Sequence, residues 1–187
     1  MQKSYAFLPF PLAYVNSFPY LCSVKPSNYV SFMTHKPQFT LEQLYISPFT
    51  GQRHFDDEGR MYYTPLERNL TPSGIQVMDR YLQFLMSGGF YRPTFCAAEG
   101  ITTAQLAALV TVLTGYNVVE FQNLYVIQVA EQLMRYTSLS IDYIARHYGG
   151  INASNFCRMY KRIIHVSPGP RRAAMRQPGD EDRYTVK

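Results

Sequence analysis

The sequence predicts an all-α C-terminal module, two helix-turn-helix units joined by a linker helix, preceded by an aromatic and proline-rich segment with a short β-hairpin. Three observations carry this. Over residues 71–176 apolar side chains recur at helical spacing between capping residues and glycines. Residues 1–70 hold most of the prolines and show no sustained 3.6-residue period. The pattern of short helix, tight turn and helix occurs twice, at 93–113 and 140–165, on either side of one longer helix. A chain of 187 residues with 47% hydrophobic composition can fold as one ordinary domain with a tail, or as two very small domains.

The elements follow in order. Gln52–Phe55 and Met61–Thr64 flank Asp57-Glu58-Gly59, a hairpin in which Gly59 supplies the positive φ of the turn. Ile75, Met78, Leu82, Leu85 and Met86 form a helical stripe that Ser87-Gly88-Gly89 ends. A short helix spans Pro93–Glu99 and stops at Gly100. Thr102 with Gln105 is a capping-box pair that opens a helix to Leu113, and Gly115 terminates it. Asn117 with Glu120 repeats the device at the head of a helix from Val118 to Arg135. Ser140 opens a helix with Ile141, Ile144, Ala145 and Tyr148 on one face. Asn152 caps the next, whose inward stripe is Phe156, Tyr160 and Ile163. Pro168 starts a last short helix, where its missing N–H costs nothing. The tail, 177–187, is polar and is expected to be flexible.

Charge is unevenly distributed. Residues 1–70 carry six basic against five acidic side chains, and 71–135 three against four. Residues 136–176 carry seven basic residues against the single acid Asp142, so one 41-residue segment exceeds the net charge of +5 of the whole chain. Such a block is either a phosphate-facing surface or a solvated basic face. Cys22, Cys96 and Cys157 are odd in number and lack a CxxC pair, so neither a disulfide framework nor a zinc site is suggested, and a reducing cytoplasm is the simplest compartment. No metal or other cofactor is expected. The proline-interrupted N-terminus does not read as a leader. The uncharged stretch Gly100–Val119 is too rich in threonine and amide side chains for a membrane span, so no membrane is expected among the partners.

In the second unit, the side chains off the apolar stripe are Ser154, Asn155, Arg158, Lys161 and Arg162, and the helix has no acid. Ser154, Asn155 and Arg158 lie in the first two turns, the part of a recognition helix that enters a major groove, and they suit base edges: arginine to guanine, asparagine to adenine. Lys161, Arg162, Arg171 and Arg172 are placed where phosphates would run. Double-stranded DNA is the partner this implies.

These residues carry a resemblance. Leu139 to Ala145, Gly149, Asn152, Phe156, Arg158, Tyr160-Lys161 and Val166-Ser167-Pro168 through Arg172 are similar to the second helix-turn-helix of the AraC/XylS family of bacterial transcription regulators. Phe95-Cys96, Gly100-Ile101, Leu106, Leu109, Gly115, Ala130 and Leu133 extend it to the first unit and linker. The resemblance covers about residues 71–176 and implies a seven-helix module whose two recognition helices enter successive major grooves. The departures are specific. The helix from Thr102 to Leu113 has no charged residue, with Ala108, Thr111 and Val112 where the family has basic ones. Val126 replaces an arginine of the linker, Gly150 an aromatic and His165 a glycine. Residues 1–70 match no sensor domain and are too short for the family's sugar-binding barrel; they are expected to cover the first unit or meet a partner.

Two functions are compatible with this. The leading one is a sequence-specific DNA-binding transcription regulator that reads the groove with its second unit. The alternative is a degenerate family member that binds another regulator or RNA polymerase through its apolar first unit or residues 1–70 and touches DNA weakly. An enzyme is disfavoured, because His147, His165 and Cys157 have no orienting acid in their helical segment.

Overall fold

A computed structural model describes residues 36–186. The proline-interrupted run before Lys36, with Cys22, lies outside the described residues. The elements in chain order are β1 (Phe49–Phe55), β2 (Met61–Pro65), α1 (Gln76–Met86), α2 (Arg92–Glu99), α3 (Thr103–Thr114), α4 (Val118–Tyr136), α5 (Ile141–His147), α6 (Ala153–Ile164), α7 (Pro168–Met175) and β3 (Tyr184–Val186).

The capping chemistry accounts for the helix boundaries. Thr102 Oγ1 accepts the Gln105 N–H at 3.2 Å while Gln105 Oε1 accepts the Thr102 N–H at 2.8 Å, a complete capping box. Asn117, Ser140 and Asn152 each accept a backbone N–H two or three residues on, opening α4, α5 and α6. Gly100 and Gly115 close α2 and α3 in the left-handed conformation. His165 closes α6 with φ of 64°, in the place where the family's glycine would carry no strain.

The linker helix α4 is the centre of the molecule. It packs against α1, α3, α5 and α7, and its buried residues include Phe121, Leu124, Tyr125, Ile127, Ala130 and Leu133. Val126 is among them at 1% exposure, so the residue that replaces the family's linker arginine is core. The turn of the second helix-turn-helix unit also touches the turn between α1 and α2 directly. A Cβ on Gly88 would stand 2.0 Å from the His147 carbonyl oxygen. One on Gly150, which has φ of 61°, would stand 2.6 Å from the Phe90 Cβ. The aromatic that the resemblance leads one to expect at this turn is absent, and Phe90, from the turn between α1 and α2, packs against the glycine.

The hairpin forms as the turn residues predict, with Gln52 opposite Thr64 and Phe55 opposite Met61, and with Gly59 at φ of 78°. The sheet has a third strand. β3 pairs antiparallel with the other side of β1, giving the order β2-β1-β3. The tail expected to be flexible is therefore built into the fold. Asp180 is buried against Arg135 at 2.9 Å, Asp182 accepts the Ser138 N–H, and the Tyr184 ring stacks on Phe49 at 4.8 Å. These partners lie far away along the chain, which is why a polar composition alone misleads.

Residues 38–49 belong to the helical core as well. The Gln38 and Phe39 N–H groups donate to the Leu113 carbonyl, Ile46 N–H donates to the Tyr125 hydroxyl, and Leu41, Leu44, Ile46 and Phe49 are buried. Each such burial contributes roughly 1.5–3 kcal/mol before chain entropy is counted. This segment seals the C-terminal end of α3 and the flank of α4. Leu106, Val110 and Leu113 of α3 are buried in the core that this segment joins, while the outward face of α3 stays open. Among the described residues nothing lies over Ala104, Ala108 and Val112.

Candidate nucleic-acid interface

α6 is strongly two-sided. Phe156, Met159, Tyr160 and Ile164 are buried, while Ser154, Asn155, Arg158, Lys161 and Arg162 are exposed on the opposite face. The expected base-reading and phosphate-facing side chains of this helix thus share one surface. None of Arg158, Lys161 and Arg162 has an ion pair among the described residues. Arg162 also lines a shallow groove with Asn117, Glu120 and Asn123, which sets the end of α6 beside the start of α4.

Arg171 and Arg172 are elsewhere. Arg171 Nε donates to Glu131 Oε1 at 2.9 Å, and the Tyr160 hydroxyl donates to the same oxygen at 2.6 Å. Glu131 is 2% exposed, so its charge needs these partners inside the protein. Burial pulls the Arg171 pKa down, and Glu131 with Tyr160 more than offsets it, so the net shift is upward. Burial and then Glu131 push the Tyr160 hydroxyl well above its usual value. Arg172 donates to the Leu139 carbonyl, and burial followed by its neighbour Arg176 lowers its pKa. The phosphate role expected of these two arginines gives way to a structural one. α7 turns their side chains onto α4 and the loop after it, where a buried carboxylate and a free carbonyl need donors.

Of the remaining cations of the basic block, Arg146 is exposed and pairs along its own helix, while Arg176 is half-buried. Arg146 is held by Asp142 at 2.9 Å, and Arg176 by Glu181 at 2.8 Å and by the Thr137 carbonyl. Of the seven basic residues in 136–176, Arg158, Lys161 and Arg162 are the ones that face outward with no ion pair among the described residues. All three are on α6.

The first unit offers no equivalent. Residues 93–113 hold no cation, and those around them are paired: Arg80 with Glu99 at 2.8 Å, Arg92 with the Gln122 side chain at 2.9 Å, and Arg135 with Asp180. The exposed face of α3 is Thr103, Ala104, Gln105, Ala108 and Val112, the last 48% exposed. Cys157 is half-buried on α6 and Cys96 is buried, while His147 stacks on Tyr143 with ring centres 4.0 Å apart.

Residues 95–174, from within α2 to within α7, match the helix-turn-helix domain family of the AraC type. This segment is similar to that family. The match covers both units of the domain and the linker helix, and α1 lies before it. One solved structure, that of the xylose-binding transcription activator XylR, is similar at 20% identity and a TM-score of 0.46, over 62% of this chain and 29% of that one. The chain thus spans under a third of that activator's length. No curated protein matches. Among the described residues no single helix is long and apolar enough to cross a membrane.

Proposed function

We propose that the chain is a sequence-specific DNA-binding transcription regulator of bacterial type, acting in the cytoplasm, with α6 as its principal reading helix. One observation carries this. In a segment similar to the helix-turn-helix family, the three exposed cations of the basic block that have no ion pair among the described residues are together on the outward face of the second helix of the second unit. Ser154, Asn155 and Arg158 in the first half of α6 are the base contacts, Arg158 with the geometry for a guanine edge. Lys161 and Arg162 follow on the same face and meet the phosphates, releasing counterions as they do.

The first unit plays a lesser part on DNA. Without a free cation, the contacts open to α3 are those of Gln105 and of small apolar side chains with thymine methyl groups. That uncharged face equally favours the second reading, in which it binds another regulator or RNA polymerase and DNA is held weakly through α6. Selection of bound duplexes from a random pool separates the two. Enrichment of one sequence, with affinity falling as salt rises, supports the regulator that reads DNA. No enrichment, together with a stable complex with RNA polymerase or a second regulator, supports the other.

A further inference from the structure

We propose that Glu131 is a positioning residue for DNA recognition: through Tyr160 and Arg171 it fixes the rotation of α6 and so sets where Arg158 and Asn155 aim. The inference rests on the reading of α6 as the DNA-reading helix.

The argument starts from the buried carboxylate. Glu131 is on α4, in a run of otherwise mostly apolar core positions, and a lone charge there is costly. It is retained with two donors on one oxygen, the Tyr160 hydroxyl at 2.6 Å from α6 and Arg171 Nε at 2.9 Å from α7. Three helices are thereby tied at a single atom. Apolar packing of Phe156, Met159 and Ile164 holds α6 on the domain but tolerates small rotations, because dispersion and burial are nondirectional. A charge-assisted hydrogen bond is short and directional, so it fixes the angle that packing leaves soft.

The geometry makes that angle matter. Arg158 and Tyr160 are two residues apart and therefore about 200° apart around a helix, one outward and one inward. At a side-chain radius of about 6 Å, a rotation of about 20° moves an outward group by about 2 Å. A bidentate contact with a base edge tolerates a few tenths of an ångström at most. Phosphate contacts by the long, flexible Lys161 and Arg162 tolerate far more. Loss of the tie should therefore cost sequence discrimination and leave non-specific binding nearly intact.

The test uses the full chain, the duplex it selects from a random pool, and a scrambled duplex of the same length. Glu131→Gln and the milder Tyr160→Phe are measured well below each variant's melting temperature. Tyr160→Phe removes one hydroxyl and leaves the ring packing, so it reports even if Glu131→Gln folds poorly. The expected result is a loss of about ten-fold on the selected duplex with under about two-fold on the scrambled one, in both variants. Arg171→Lys, which keeps a donor and a charge beside Glu131, should restore most of the discrimination that Arg171→Met loses. A ratio of selected to scrambled affinity that stays unchanged in Tyr160→Phe and Arg171→Met overturns the proposal while the reading of α6 stands. A wild-type chain that enriches no duplex overturns both.

Discussion

Gly150 lies against Gly88: a Cβ on Gly150 would stand 2.7 Å from the Gly88 carbonyl oxygen, a contact that locks the turn of the second helix-turn-helix onto the turn after α1. Backbone this close leaves no space for any side chain. The second unit therefore keeps one orientation relative to α1, set by α4 behind them and by this pair of glycines in front.

Gly150→Ala is expected to destabilise the protein by about 2–4 kcal/mol, since it adds a backbone clash to the cost of a left-handed alanine. Gly59 gives the comparison. It has φ of 78° with no atom within 4 Å of its Cβ direction, so Gly59→Ala should lose only about 1 kcal/mol. Urea unfolding of the two variants, compared at equal m-value, measures the difference.

Arg158→Ala should weaken binding to the preferred duplex by about 1–3 kcal/mol and relax base choice at one position, with a smaller change on random DNA. Repeating the duplex selection with the variant shows this directly. An equal loss on every sequence would identify Arg158 as a phosphate contact.

Lys161→Ala and Arg171→Ala should behave oppositely although both remove a cation. The first should reduce the slope of log affinity against log salt by about 1 without changing stability. The second should leave the slope unchanged and lower stability by about 2–4 kcal/mol, because it strips one partner from buried Glu131. Salt titrations of DNA binding paired with thermal melts resolve the two.

Protection of the selected duplex should be strong over the groove met by α6 and weak one turn away, where α3 brings no cation. Hydroxyl-radical footprinting reads this asymmetry. Replacing thymine with uracil in the weakly protected groove removes the methyl groups that Ala104 and Ala108 would touch, and should reduce affinity there alone. Equal protection of both grooves would count against the division of labour.

Much of this architecture was legible in the sequence, for local reasons. Caps, glycine stops and helical stripes act within a few residues, and they located all seven helices and the hairpin turn at Gly59. The exposed face of α6 was legible too, because an amphipathic helix without an acid declares its own outside. What was hidden depends on long-range partners. Arg171 and Arg172 read as phosphate ligands until α7 is docked on α4, and β3 needs β1, which lies more than a hundred residues away. One signal was available. An acid at position 131, between Ala130 and Leu133 on the inward side of the linker helix, requires a cation from elsewhere, and the arginines of α7 are near in space though distant in sequence.

The distribution of cations also bears on how such a protein would find its site. A reading face with three unpaired positive charges, as on α6, releases few counterions, so its hold on an arbitrary stretch of duplex is brief. Long excursions along the double helix need a stronger grip than that. The chain would arrive instead by repeated short collisions from solution, and the fraction of time its site is occupied would follow the number of copies in the cell.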